Sequence, residues 1–290
     1  GMKIATLDIG GTAIKSGMVI DGALHDFTET PTNASLGGEA VLREAARILH
    51  GMGTFDCIGV STAGEVDAST GCIRLADNIP GYTGMNPKEI LTKAFHVPCV
   101  IENDVNAAAM GEKTCGAGRA YNNFLCVSYG TGIGGAMVLD GALYRGSCFS
   151  AGEFGGLITH TMDVVEGEVG SGSYERYAST SALVRHAAAY DTKLMSGRAI
   201  FAAMDVPAVK DIVDNWICEI AFGLIGLIHA FNPEAVLLGG GIMQEAYVTE
   251  KLEQLIGHNS KVSFRNCRIL PASLGNKAAL FGAAALAQKL

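Results

Sequence analysis

Two glycine-rich runs carry residue types suited to gripping phosphate. The first is Asp8-Ile9-Gly10-Gly11-Thr12; the second, about 120 residues on, is Ser128-Tyr129-Gly130-Thr131-Gly132-Ile133-Gly134-Gly135. Glycine lets backbone N–H groups approach anionic oxygens closely, and Thr12 adds a hydroxyl. Asp8 offers hard carboxylate oxygen to Mg²⁺, through water, and Lys15 follows on the next expected strand. No Gly-Lys-Ser/Thr follows at the spacing of a Walker A loop. Taken alone, the first run is equally consistent with a hairpin that needs glycine only for its turn.

Gly130, Gly132 and Gly135 satisfy G-x-G-x-x-G, the dinucleotide fingerprint. That fingerprint should open a helix, whereas Ala136 to Leu139 reads as a strand leading to a turn, which weakens a dehydrogenase reading. Between the two runs, Glu102-Asn103-Asp104-Val105-Asn106 sits where an apolar strand passes into a helix. Asn103 or Asp104 can simply cap that helix. Three successive polar groups at a strand's C-terminal end also suit a site, because ligands of α/β sheets gather there. In that reading Asp104 accepts the proton of a substrate hydroxyl as it attacks a γ-phosphate.

Ala151-Gly152-Glu153-Phe154-Gly155-Gly156 is a further glycine-flanked carboxylate, and Glu175 opens a helix. Either can be a helix N-terminal acid favoured by the macrodipole. Gly239-Gly240-Gly241 after a strand reads as an ordinary strand-to-helix turn or as a surface for an adenine ring.

The elements that must position these residues repeat. Lys3 to Ile9 reads as a strand, the glycine turn follows, Ala13 to Ile20 is a second strand, and Asp21-Gly22 marks a hairpin turn before Ala23 to Glu29. Phe124 to Tyr129, the second turn, Ile133 to Leu139, Asp140-Gly141 and Ala142 to Tyr144 give the same order. Strands are also expected over Cys57 to Thr62, Val97 to Ile101 and Ala235 to Leu238. Helices are expected over Gly38 to Met52, Pro87 to Phe95 with Asn86 as N-cap, Val105 to Lys113, Tyr174 to Tyr190, Ser196 to Ala203, Ala208 to Phe231 and Ala278 to Lys289. This alternation predicts an α/β protein of two related lobes, 1–119 and 120–275, with a final helix from about 276 to 290 returning to the first lobe and ligands in a cleft between them.

Composition narrows the function classes. The chain has 290 residues, nearly half of them apolar, enough for two cores without metal or disulfide support. A net charge of −8 argues against a nucleic-acid surface. The 8 cysteines include no Cys-x-x-Cys pair and suit a reduced cytoplasm. The start shows no signal peptide, and the longest apolar stretch, Ala221 to Phe231, falls short of the roughly 18 residues needed to span a bilayer, so no membrane association is expected.

Taken together, these segments resemble the ROK family of repressors and sugar kinases, within the sugar kinase/actin superfamily. Asp8 to Thr12 resembles its first phosphate motif, and Gly130 to Gly135 its second. Glu102 to Asn106, followed by Gly111-Glu112 and Gly116-Ala117-Gly118-Arg119, is similar to its catalytic segment. Asn232-Pro233-Glu234 through Gly239-Gly240-Gly241-Ile242 resembles the adenosine segment. The resemblance implies a two-lobed actin-like ATPase (duplicated ribonuclease H-like) fold and ATP·Mg²⁺-dependent transfer of the γ-phosphate to a hexose hydroxyl, most often the 6-OH. It implies a homodimer as well.

By the same resemblance Asp104 is the base. Asn103, Asn78 (in Asp77-Asn78-Ile79-Pro80-Gly81), Glu153 and Glu175 hydrogen-bond the sugar, with Gly64 on the loop facing it. Asp8, Gly10, Gly11, Thr12, Lys15, Gly130, Thr131, Gly132, Gly134, Gly240 and Gly241 hold the nucleotide. One departure stands out. The family's Glu-x-Gly-His histidine is replaced by Gly156, and its three zinc cysteines fall on Glu166, Glu168 and Ser173. The expectation is therefore no zinc, and room near the anomeric end of the sugar for the aglycone of a β-glucoside. Glucose and N-acetylmannosamine are the other acceptors to weigh. A non-catalytic sugar-binding regulator is the remaining alternative, although the first motif begins at residue 8, leaving no room before it for a helix-turn-helix.

Overall fold

The computed structural model describes residues 1–290. In chain order the elements are β1 (Lys3–Ile9), β2 (Ala13–Ile20), β3 (Ala23–Pro31), α1 (Gly38–Gly51), β4 (Cys57–Thr62), β5 (Glu65–Asp67), β6 (Cys72–Leu75), α2 (Pro87–Phe95), β7 (Cys99–Asn103) and α3 (Asp104–Cys115). Then come β8 (Phe124–Tyr129), β9 (Ile133–Leu139), β10 (Ala142–Tyr144), α4 (Tyr174–Ala178), α5 (Thr180–Tyr190), α6 (Gly197–Ala202), α7 (Pro207–Phe231), β11 (Ala235–Gly239), α8 (Ala246–Asn259), β12 (Arg268–Pro271) and α9 (Ala278–Ala287). The chain divides into two compact units. The first comprises Gly1–Ala120, Ala142–Ala151 and Ser273–Leu290; the second comprises Tyr121–Gly141 and Gly152–Ala272.

In the first unit a five-stranded sheet has the order β3-β2-β1-β4-β7. β1 is antiparallel to β2 and parallel to β4, and β4 is parallel to β7. The alternation of side chains along each strand gives the sheet two apolar faces. One face, with Ala5, Leu7, Ile9, Ile58, Val60 and Ile101, packs with Val41, Ala45 and Leu49 of α1 and Leu91 of α2. The other, with Ile4, Val19 and Cys57, packs with Ala284 and Ala287 of α9. Helix α9 lies so close that a Cβ on Gly59 of β4 would overlap the Ala283 carbonyl. A Cβ on Gly282 would likewise overlap the Ala107 carbonyl of α3. Glycine is thus required at both places because backbone meets backbone.

In the second unit β9, β8, β11 and β12 are neighbours in that order, repeating β2-β1-β4-β7 of the first. β8 is antiparallel to β9 and parallel to β11, which is parallel to β12. Helix α7 forms the core, burying Val213, Trp216, Ile217, Ile220, Leu224 and Ile228. Over its full length α7 is long and apolar enough to cross a bilayer, which the run Ala221 to Phe231 alone is not; half of its apolar 18-residue stretch is buried inside the protein.

Most element boundaries follow the sequence within two residues, and the differences have local causes. The single helix expected over Tyr174 to Tyr190 breaks at Ser179, which is extended and caps α5 by accepting from the Ala182 N–H at 3.1 Å. Trp216 Nε1 donates to the carbonyls of Ala178 (3.0 Å) and Ser179 (2.9 Å), satisfying oxygens that the break releases. The β5–β6 hairpin, α8 and β12 were not expected. β12 is four residues long and ends in Pro271, a weak strand signal suited only to a sheet edge.

Candidate active site

The parallel strands of the first unit line up three polar residues at one edge. Asp8 of β1 is opposite Ser61 of β4, and Ser61 is opposite Glu102 of β7. Ser61 Oγ donates to Asp8 Oδ1 at 2.8 Å, and Lys15 Nζ, cross-strand on β2, lies 3.6 Å from Oδ2. Burial pushes the Asp8 carboxyl above its ordinary value, with Ser61 and Lys15 pulling the other way. The turn after β1 is fixed by Gly10 N–H donating to Ala13 O (3.0 Å) and Thr32 Oγ1 donating to Gly10 O (2.7 Å). Gly11 and Thr12 stay exposed, and a Cβ on Gly11 would lie 3.5 Å from that of Asn78.

Two residues beyond Glu102, at the start of α3, is the expected base, Asp104. Asn103 ends β7 and caps α3, its Oδ1 accepting from the N–H groups of Val105 (3.0 Å) and Asn106 (3.2 Å). Its Nδ2 donates to the Gly64 carbonyl at 2.8 Å. Asn103 therefore closes the loop after β4 and starts the helix, retaining one amide N–H for any ligand. Asp104 is the first residue of α3, half-buried, with Oδ1 accepting its neighbour's Val105 N–H at 2.9 Å. Glu102, buried, accepts from Asn103 N–H (2.8 Å), Asn106 Nδ2 (3.1 Å) and Arg145 Nε (2.7 Å). Asp8, Gly10, Gly11, Thr12, Lys15, Gly64, Asn78, Asn103 and Asp104 thus share the strand-end region of the first unit.

In the second unit the glycine turn is closed by Gly130 N–H donating to Gly132 O at 3.0 Å. Gly130 and Thr131 are exposed, and Gly134 lies within β9. The Glu175 carboxylate sits under this turn, accepting from Ile133 N–H at 3.2 Å; a Cβ on Gly132 or Gly155 would meet its Oε2 at 2.6 or 2.7 Å. A cavity of about 860 Å³ brings Gly130 together with Gly240 and Gly241, and is also lined by Thr180, Arg198 and Glu245. Gly240 has φ of 108°, and a Cβ there would overlap the Tyr129 carbonyl, so only glycine suits this corner. Glu153 is exposed immediately before the short turn of 3-10 helix Phe154–Gly156.

Sequence reasoning missed Ser61, Arg145, Thr180, Arg198 and Glu245. Ser61 stands one strand away from Asp8 and Arg145 lies 43 residues from Glu102, so only strand register and tertiary packing reveal them. Arg198 and Glu245 flank glycine-containing turns but match no local pattern.

The positions that hold zinc elsewhere in the resembled family do not offer a zinc donor set here. Gly156 has no side chain, Glu166 is exposed, Glu168 pairs with Arg176 at 3.0 Å, and the buried Ser173 hydroxyl has no partner. None is an imidazole or thiolate. The segment is held instead by Ser171 Oγ, which accepts from Val165 N–H (2.9 Å) and donates to Glu168 O (2.8 Å). His160 lies flat on the Tyr177 ring, with centroids 3.6 Å apart at 13°, and its Nε2 is 2.8 Å from Glu219 Oε2.

The ROK family model matches residues 4–290. A β-glucoside kinase of Listeria innocua is 35% identical over 290 residues, covering 97% of this chain and 96% of the relative. The structure of a ROK hexokinase from Thermus thermophilus superposes with a TM-score of 0.84 at 32% identity, covering 99% of this chain and 98% of that one. A ROK family glucokinase from Streptomyces griseus, in complex with glucose and AMPPNP, gives 0.83 at 28% identity, covering 99% of this chain and all (100%) of that one.

Proposed function

The chain belongs to the ROK family and is an ATP-dependent sugar kinase with the actin-like ATPase fold; from that premise we propose that its acceptor is a β-glucoside, phosphorylated on the 6-hydroxyl, with free glucose a poorer substrate. The observation that carries the acceptor class is Gly156. Nothing lies within 4 Å of where its Cβ would stand, so the position that usually bears an imidazole beside the anomeric end of the sugar is open. An aglycone or second ring has room there. The β-glucoside kinase relative supports the same class.

The roles follow from the chemistry of each group. Asp104 accepts the proton from the acceptor hydroxyl, a contribution of about 10²–10⁴-fold. Backbone N–H groups of the glycine turns receive phosphate oxygens, as oriented amides do for anions. Gly240 and Gly241 offer an adenine a surface without side chains. Asp8 fits Mg²⁺, since it presents hard carboxylate oxygens already oriented by Ser61 and Lys15. When bound, that ion would neutralise charge on the β- and γ-phosphates. Asn78, Asn103, Glu153 and Glu175 orient the sugar through hydrogen bonds to its hydroxyls.

The test is an ADP-coupled assay over hexoses, N-acetylhexosamines and β-glucosides. Cellobiose and aryl β-glucosides should give kcat/KM above that of glucose. Glucose far ahead of them overturns the acceptor assignment, N-acetylmannosamine in first place replaces it, and sugar binding with no ADP release indicates a sensor rather than an enzyme.

A further inference from the structure

Residues 157–173 leave and rejoin the second unit at one neck. Tyr174 N–H donates to Leu157 O at 2.7 Å, and the N–H groups of Thr159 and His160 both reach Gly172 O at 3.0 Å. On one side of this neck is Glu153 and on the other Glu175, the two carboxylates assigned to the sugar. Beyond the neck the segment packs little of its apolar surface, with Met162 and Val169 almost wholly exposed. It contains no metal donor set. His160 ties it to α7 through Glu219, and Asp163 and Glu168 tie it to Tyr177 and Arg176 of α4.

Helix α4, which carries Glu175, has only five residues and cannot hold its own shape, because a helix this short does not repay its nucleation. Side-chain clamps hold it. Tyr174 is pinned from the core, its hydroxyl bonded to Tyr129 Oη and to Ile220 O, each at 2.8 Å. Trp216 Nε1 holds the carbonyl of Ala178. The outward face is clamped by the segment itself, where the His160 ring covers Tyr177 and reaches Glu219 of α7, while the Tyr177 hydroxyl donates to Asp163.

We propose that His160 is a positioning residue for sugar recognition: stacked on Tyr177 and bonded to Glu219, it fixes α4 so that the Glu175 carboxylate stays under the second glycine turn. It touches neither substrate nor nucleotide. This rests on Glu175 belonging to the sugar site.

Steady-state kinetics with saturating ATP or saturating β-glucoside test it in His160→Ala, His160→Gln, Glu219→Ala and Glu175→Gln. His160→Ala and Glu219→Ala should raise the sugar KM by about ten-fold, since sub-ångström misplacement of a positioning group carries penalties of that order, while kcat and the ATP KM stay within about two-fold. His160→Gln, which keeps a donor for Glu219, should recover part of the loss, and added imidazole should restore part of the sugar affinity of His160→Ala. Wild-type sugar KM in both alanine variants overturns the proposal. So does an equal loss in sugar KM, ATP KM and kcat, which would mean general loosening. Glu175→Gln separates the two readings. A raised KM there with an unchanged one in His160→Ala sinks only the clamp, whereas an unchanged KM in Glu175→Gln sinks the assignment of Glu175 itself.

Discussion

Ser61 and Asp8 are partners across adjacent parallel strands, the serine hydroxyl donating to Asp8 Oδ1 at 2.8 Å. Together with Lys15 at 3.6 Å it holds a carboxylate that burial would otherwise neutralise. The folded protein bears a cost for keeping that charge buried.

Asp8→Asn should therefore stabilise the protein at neutral pH while removing phosphoryl transfer. The native Asp8 carboxyl is raised above its ordinary value of 3.8, so the native state holds the proton more tightly than the unfolded chain. Its destabilising effect is absent below 3.8 and grows as pH rises through the raised native value. In thermal melts without Mg²⁺ the variant should melt above wild type at pH 7, with the gap closing as pH falls toward 4. A variant less stable than wild type at pH 7 would contradict this sign.

Asn103 has two separable tasks. Asn103→Ala loses the cap of α3 and should cost about 1 kcal/mol in urea denaturation. Asn103→Asp keeps an acceptor for Val105 and Asn106 but removes the donor to Gly64, so stability should be largely retained while the sugar KM rises. Equal stability losses in both variants would show that the Gly64 contact, not the cap, carries the energy.

Asp104→Ala should reduce kcat by about 10²–10⁴-fold while calorimetry finds sugar affinity within a few fold of wild type. Near-normal turnover would remove Asp104 from the role of base.

The sequence made the strand and glycine-turn repeat legible because apolar runs, glycines and Asx-Gly turns are local signals. The candidate catalytic segment was legible for the same reason, with Glu102, Asn103 and Asp104 adjacent in the chain. What stayed hidden depends on register and packing: Ser61 on Asp8, Arg145 on Glu102, and Trp216 receiving the broken helix at Ser179. Glu175 shows the limit of residue-by-residue inference. Its assignment to the sugar gave no hint that its carboxylate also accepts a hydrogen bond from the second glycine turn, which the fold supplies through α4.

Gly156→His tests the acceptor class directly. The position is exposed and open, so the fold should tolerate the ring. Discrimination should then move toward glucose, with the ratio of β-glucoside to glucose kcat/KM falling on the order of ten-fold, the scale of one steric group in a pocket. An unchanged ratio would place the aglycone elsewhere.

Helix α9 delays completion of the first unit on the ribosome. Gly59 in β4 and Ala107 in α3 are translated early, yet the helix that seats against them emerges only after all of the second unit. Until then the face with Ile4, Val19 and Cys57 lacks its cover. The nascent first unit is therefore an incomplete domain for most of translation, open to chaperones and proteases alike. A frameshift or stop codon near residue 275 would remove a structural wall, not a tail.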